Sequence, residues 1–494
     1  MKMKAITDIY LKKPQRPVRI VQFGEGCFLR AFADWMVDIL NEKTDFNGSV
    51  AIVKPRSIGG LEAFENQNSL YTVILRGVEN KQTVCTSRVI TSVNSVTDTG
   101  SWDNLSALAK CPTVRFVISN TTEAGIALDK SDRMDGVPSS YPGKLTKFLY
   151  ERYVAFDGDP SRGVIILPTE LIEDNGKRLS EYVLTLSEIW GLPIGFTEWI
   201  SAYCTFCSTL VDRIVTGYPK SEVEMLWKQI GYKDELLDIG EPFALWVIES
   251  ERDIRPELPL DLAGLPVIFT EDQKPYRDRK VRILNGSHTS FVPAAFLSGE
   301  EIVRDCMTHP VIRPFIDTCI YHEIIPTLCE SLDKEELLRF ADAVCERFEN
   351  PFIDHALISI CLNSVSKWKA RVLPSLLDSL ASGNIPHCLI LSFSALCKFY
   401  ASVRMTDGKL VGTRTVNGVP IPYTVSDSKS VLDFFAENGL SSDILLKFAA
   451  RTDFWDIDLS SLQGFSELAQ NYYDLLSERG ILAAMEEAVS ASRR

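Results

Sequence analysis

The run VRIVQF, Val18–Phe23, passes without a linker into Gly24-Glu25-Gly26 and then into a helical pattern. This strand–G-x-G–helix junction limits the fold more than any other feature of the chain. The strand is short, β-branched and preceded by Pro17, as a buried strand should be. The pattern that follows puts Phe28, Leu29, Phe32, Trp35, Met36, Ile39 and Leu40 on one broad face, the stripe of an amphipathic helix. A second strand, Ser49–Pro55, closes a β-α-β unit. YTVILRG, SRVITSV, TVRFVISN and GVIILPTELI are further strand candidates, and helical stretches lie near Leu105–Ala109 and Gly143–Tyr153. Strands alternating with helices predict an α/β fold, with a Rossmann-like, mainly parallel, doubly wound sheet. After about Tyr276 the apolar residues recur mostly at helical spacing, GTRTVNGVPIPYTV being the main exception. The expected organisation is a dinucleotide-binding domain over 1–275 and a mostly α-helical domain over 276–494. The Pro- and charge-rich segment Thr270–Lys280 forms the junction, a favoured place for ligands.

Bulk properties narrow the partners. At 494 residues the chain exceeds one ordinary core. A net charge of −14 with no long basic block argues against nucleic acid or an anionic membrane as the main partner and leaves a small molecule. Of twelve cysteines only Cys204 and Cys207 form a C-x-x-C pair. No second pair or spaced histidines complete a zinc site, so we expect core packing and no metal. The first residues lack the apolar run of a signal peptide, and no uninterrupted apolar segment is long enough to span a bilayer. The expectation is a reduced, cytoplasmic, soluble protein, monomeric or weakly homo-oligomeric.

The glycine turn suits a dinucleotide. Its first glycine permits the tight turn, its second lets a pyrophosphate approach the backbone, and the helix N-terminus offers N–H groups. The third glycine of G-x-G-x-x-G is replaced by Leu29, followed by Arg30 and Ala31. The turn makes Phe23, Gly24, Glu25, Gly26, Cys27, Phe28 and Arg30 candidate cofactor contacts. Asn120, Thr121, Thr122 and Glu123 of SNTTEAGI follow another strand, at the edge where doubly wound sheets bind ligands. After the second strand, where NAD-binding proteins place a carboxylate, stand Lys54 and Arg56. Locally, NAD and NADP both remain open.

KVRILNGSHTSF, Lys280–Phe291, gathers a lysine, an asparagine and a histidine among apolar residues. On an α-helix at about 100° per residue, Asn285 and His288 lie one turn apart and Lys280 roughly 80° around from His288. Reduction of a ketone needs a proton donor and hydrogen bonds for the nascent alkoxide. A half-buried lysine, its pKa lowered by desolvation, could supply the first. Asn285 and His288 could supply the second.

Lys280, Asn285 and His288 match the K-x(4)-N-x(2)-H arrangement of the polyol-specific long-chain dehydrogenases, the mannitol dehydrogenase family. FGEGCFLRAF resembles that family's glycine turn and FCSTLVDRIVTGYP its V-D-R-I signature. Three motifs in order over the whole chain make the resemblance specific. It implies a metal-independent, NAD-dependent oxidoreductase with Lys280 as general acid/base, Asn285 and His288 polarising the reacting oxygen, and Asp212 beside the substrate. The family's S-C-D-N-x-x-x-N-G reads PTELIEDNG here, with Glu170 and Leu171 at the D-N positions while Asn175 and Gly176 remain. Asn175 is thus a candidate substrate contact, and the departure points to the family's uronate-reducing branch and a keto-uronate substrate. A uronate needs a cation, for which LSFSALCKFYASVR offers Lys398 and Arg404. Another ketose of the same family, or a non-catalytic dinucleotide sensor, is the alternative.

Overall fold

Alternate residues of the strand Val18–Phe23 go to opposite faces of a sheet, as the two-residue period of a strand requires. Ile20 joins one core with Ile52, Phe116, Ile118, Ile165 and Leu167, covered by the helical run from Cys27 to Lys43. Val21 and Phe23 join the other with Val53, Val117 and Ile166, covered by the helices Tyr141–Ala155, Asn175–Ile189 and Ile194–Tyr203. A sheet buried on both faces must be apolar throughout, which is why these strands read as continuous hydrophobic runs. The computed structural model describes residues 3–494, except Ser57, Ile58, Glu123, Ser402, Asp407 and Gly408, with the backbone alone over 403–406. The chain divides into two compact units, Met1–Gly77 with Thr83–Gln273, and Lys274–Arg494 with the short segment Val78–Gln82.

The main sheet of the first unit has six strands in the order Val93–Asp98, Ser49–Lys54, Val18–Phe23, Phe116–Ser119, Ile165–Pro168, Thr205–Phe206. All five neighbouring pairs are parallel. The order grows outward in one direction from Val18–Phe23 and then resumes on its other side with Phe116–Ser119. That reversal is the topological switch point, whose carboxyl end is where such sheets bind ligands. Two strand candidates lie elsewhere: Tyr71–Glu79 and the mostly exposed Gln82–Ile90 belong to a four-stranded sheet with Asp238–Gly240 and Val215–Gly217. Asn80 and Lys81 between them sit at φ 51° and 60°, a two-residue hairpin turn. Without a crossover helix these strands could not extend a parallel sheet.

The second unit is mostly helical and built round the helix His387–Ala401, nearly all of whose residues are buried. Ser287–Ser298, Phe465–Glu478 and Ile481–Ser492 pack on it. Its N-terminus is held by buried Glu323, whose carboxylate accepts the Cys388 and Leu389 N–H groups at 2.8 Å each; a carboxylate is favoured at a helix N-terminus. GTRTVNGVPIPYTV lies in the antiparallel strands Lys409–Val416 and Val419–Val425. The Cys204 and Cys207 thiols pack into apolar surroundings, and burial pushes both up to about 12. No described helix is long and apolar enough to cross a membrane.

Asp34 is fully buried, and desolvation pushes its carboxyl up to about 7 despite hydrogen bonds from Tyr71 Oη at 2.8 Å and Gln22 Nε2 at 3.4 Å. Burial likewise raises Glu323 to about 7. A carboxyl whose folded pKa exceeds its unfolded value, near 4, stabilises the fold most at low pH and loses that contribution as pH rises through the folded pKa. The resistance of the protein to urea should therefore carry a component that declines between about pH 4 and pH 7. Asp34→Asn should remove the Asp34 share of that decline in urea titrations across the range and leave the share of Glu323.

Candidate active site

Gly24 ends the first strand at the switch point with φ +131°, a conformation open to glycine and strained for other residues. A Cβ there would lie 2.9 Å from the Asn120 carbonyl oxygen and 3.1 Å from Leu29, so the protein's own packing demands this glycine. Gly24 N–H donates to the Val53 carbonyl at 2.9 Å, and Asn120 N–H to that of Phe23 at 3.0 Å. Gln22 Nε2 donates to the Gly24 carbonyl at 3.1 Å. Gly26 differs. It is exposed, no side chain caps the helix it begins, and a Cβ there would meet nothing within 4 Å. Open space above the N–H groups of an uncapped helix is what a pyrophosphate requires, so the turn fits the dinucleotide it was read to hold. Glu25, Cys27 and Phe28 are half-buried beside it, Phe28 stacking on Phe32 at 4.9 Å between centroids.

Several expected cofactor contacts have other work. Phe23 is buried against Tyr141 at 5.1 Å. Arg30 is buried, donates to the Leu236 carbonyl at 2.5 Å and lies 3.6 Å from Asp238. Its charge serves an internal ion pair, which burial can retain only with such partners. Asn120 Nδ2 donates to the Thr169 carbonyl and hydroxyl, both at 3.0 Å. Thr121 donates to Glu170 from its N–H at 2.8 Å and its hydroxyl at 2.9 Å. Thr122 has φ +75°, a strained value for a β-branched residue and of the kind held at ligand sites. Glu123 lies outside the described residues. Lys54 Nζ donates to the Gly59 carbonyl at 2.8 Å, and Arg56 to the Thr121 carbonyl at 2.5 Å and the Thr122 hydroxyl at 2.6 Å.

The departure at PTELIEDNG has a structural meaning. Glu170 is 2% exposed and ties together the loops that leave two neighbouring strands, accepting from Thr121 and, at 3.1 Å, from Ser119. Burial raises its pKa, and the hydrogen bonds from Thr121 and Ser119 work against that rise. Leu171 is 59% exposed. Asn175 is fully buried: its Nδ2 donates to the carbonyls of Pro168, Glu170 and Thr209 at 3.0–3.1 Å, and its Oδ1 accepts from Thr209 N–H at 2.8 Å. Its amide is spent on positioning the strand ends rather than turned to a ligand. Val211 and Asp212 of V-D-R-I end the strand Ser208–Asp212, and Asp212 is buried. Next to it, buried Arg213 donates to the carbonyls of Phe243, Pro242 and Ala31 and stacks 4.3 Å over Trp35. It thereby staples this strand to the helix that leaves the glycine turn.

In the second unit, Lys280 to Gly286 form a π-helical turn between the α-helices Lys274–Arg279 and Ser287–Ser298. The α-helical angles expected for the triad hold only from Ser287 onward. Such widened turns recur at functional sites. Lys280, Asn285 and His288 are each half-exposed. Gly286 explains the Asn-Gly pair, because a Cβ there would lie 2.8 Å from the Arg371 carbonyl oxygen. The His288 ring lies 4.1 Å from Phe348 and 5.4 Å from His355, and its Nε2 is buried without a hydrogen-bond partner among the described residues. Desolvation, then the charges of His355, Arg347 and Arg371, hold its pKa well below the usual imidazole range. His288 is thus a neutral imidazole in a basic neighbourhood. His355, Arg347 and Arg371 were not singled out from the sequence, since no motif links positions 347, 355 and 371 to 288.

Lys398 stands apart from this group. It lines a cavity with Leu297 and Ser298, at the other end of the helix from His288. Ten residues at 1.5 Å rise make that separation roughly 15 Å, too far for a substrate also held by His288. The Arg404 side chain lies outside the described residues; its backbone is in the strand Val403–Thr406.

The glycine turn and the sheet order are those of a dinucleotide-binding unit, and the comparisons place the chain among dehydrogenases. Residues 18–261 match the mannitol dehydrogenase Rossmann domain and residues 272–414 the mannitol dehydrogenase C-terminal domain. The chain belongs to the mannitol dehydrogenase family. It is 41% identical over 488 residues to an altronate oxidoreductase of Bacillus subtilis, covering 97% of each chain. It is 42% identical over 499 residues to one of Shigella flexneri, covering 99% of each. Among solved structures, a substrate-free D-sorbitol dehydrogenase superposes with a TM-score of 0.78 at 19% identity, covering 98% of this chain and 100% of that one. Mannitol 2-dehydrogenase of Pseudomonas fluorescens, in ternary complex with NAD and D-mannitol, gives 0.66 at 20% identity, covering 96% and 95%.

The two glycines of the turn should separate on substitution. Gly24→Ala should cost on the order of 2 kcal/mol of stability, from its backbone angle and the Asn120 contact. Gly26→Ser should leave stability within about 0.5 kcal/mol, serine being a good cap, yet weaken dinucleotide binding about tenfold. Urea melts and fluorescence titration check the two halves.

Proposed function

We propose that this protein interconverts D-tagaturonate and D-altronate with NAD(H). The observation that carries the reading is that a neutral His288 lies within the field of Arg347 and Arg371, beside Phe348 and with Gly286 packed on the Arg371 backbone. A sugar acid needs a cation for its carboxylate, and arginine binds carboxylates through paired N–H groups. The near full-length similarity to altronate oxidoreductases supports the same substrate class. NAD(H) is favoured because the two cations that left NADP open, Lys54 and Arg56, are already held by protein acceptors.

A bound nicotinamide supplies the hydride in one direction and accepts it in the other. Lys280 gives its proton to the nascent alkoxide during reduction and takes it back during oxidation. Asn285 donates an amide N–H to the same oxygen, stabilising charge as it develops. His288, with its orphaned Nε2, hydrogen-bonds the substrate; its neutrality lets it either donate or accept. Arg371 pairs with the carboxylate and sets the preference for an acid over a neutral ketose. Asp212, at the end of its strand, is the substrate contact of the V-D-R-I signature.

Purified protein should oxidise NADH with D-tagaturonate faster than with fructuronate or fructose, and faster than NADPH with any of them. A preference for fructose would overturn the uronate assignment. Cofactor binding without turnover of any ketose would identify a sensor instead. Lys280→Met should lower kcat by on the order of a thousandfold with little change in NADH affinity. Arg371→Gln should raise KM for the keto-uronate by about tenfold or more while moving KM for fructose far less.

A further inference from the structure

The cavity that holds Lys398 has a composition unlike the chain around it. It encloses about 540 Å³, and its lining includes Lys398, Arg414 and Arg479 but, among the described residues, no aspartate or glutamate, in a protein of net charge −14. The hydroxyl-bearing Ser298 and Thr413 also face it, as does the first turn of the helix Ile481–Ser492. That helix starts at Gly480 with φ +91° and no side-chain cap, and its first N–H groups have no acceptor within the helix. Arg414 is 5% exposed; its terminal nitrogens bond to the Phe296 and Glu300 carbonyls and to Glu301, while its Nε is buried without a partner among the described residues. Lys398 Nζ donates to the Ser477 hydroxyl at 2.9 Å, and Arg479 lies 3.3 Å from Glu487 with most of its side chain exposed.

Cationic side chains, hydroxyl donors and a helix N-terminus converging on one concavity make the chemistry of an oxyanion site. We propose that this cavity binds a small anion, a phosphate ester or a carboxylate, at the end of the Ser287–Ser298 helix opposite His288. Lys280, Asn285 and His288 are not among its lining residues, and the site stands whether or not the substrate assignment holds. Burial lowers the pKa of Lys398, a cost that a bound anion would offset.

The test is calorimetric titration of the full chain with inorganic phosphate and, separately, with citrate. Saturable binding of one of them is expected, and which one binds distinguishes the phosphate from the carboxylate source. Arg479→Gln, at an exposed position that folding should tolerate, and Lys398→Gln should each weaken it about tenfold, while Gly26→Ser and Lys280→Met should leave it unchanged. Absence of saturable binding by either anion would overturn the proposal. So would a loss caused by Gly26→Ser or Lys280→Met but by neither cavity variant.

Discussion

The approach of the Asn120 carbonyl to within 2.9 Å of where a Gly24 side chain would begin is the contact on which the cofactor-binding unit depends. It exists because the strands Val18–Phe23 and Phe116–Ser119 are parallel neighbours at the switch point. Their carboxyl ends turn away side by side, and only a residue without Cβ lets both backbones do so. The helix leaving that turn is then aimed with its N-terminus open at Gly26. Gln22, Asp34, Arg30 and Arg213 hold the arrangement from beneath with buried hydrogen bonds. Each of these side chains makes at least one buried hydrogen bond, while Gln22 Oε1, Arg30 Nε and Asp34 Oδ1 are left without a partner among the described residues.

Both motif-bearing helices are interrupted by π turns, at Arg30–Asp34 and at Lys280–Gly286. In the first, the Ala31 carbonyl is taken by Arg213 and the buried Asp34 carboxyl by Tyr71 and Gln22. In the second, the widened turn carries Lys280 and Asn285, and Gly286 beyond them packs on the Arg371 backbone. A π turn exchanges helical regularity for a redirected set of side chains. Here it falls on the residues whose direction matters. Sequence periodicity does not register such a turn, because one extra residue shifts the angles while the flanking apolar stripe continues.

Legibility differed between elements for identifiable reasons. Strands buried on both faces announce themselves as apolar runs, so Val18–Phe23, Ser49–Lys54, Phe116–Ser119 and Ile165–Pro168 were readable. Tyr71–Glu79 and Gln82–Ile90 were readable as strands but not as members of another sheet, since pairing is non-local. Asp212 beside Arg213 announced no secondary structure, because adjacent charges carry no period. The roles of Asn175 and Glu170 were hidden for a different reason: a polar side chain reads the same whether it faces a ligand or ties together backbone loops.

What the sequence determined by itself is the local chemistry. It set the glycine turn between strand and helix, the alternation that forces a parallel sheet, and the lysine, asparagine and histidine within nine residues of one another. These follow from steric freedom, hydrophobic period and covalent spacing, all of which act within a few residues. The tertiary structure alone decided that the charges of His355, Arg347 and Arg371 act on His288, and that Lys398 lines a cavity in which Lys280, Asn285 and His288 take no part. Burial and electrostatic environment are properties of chain segments far apart in sequence, brought together only when the helices pack.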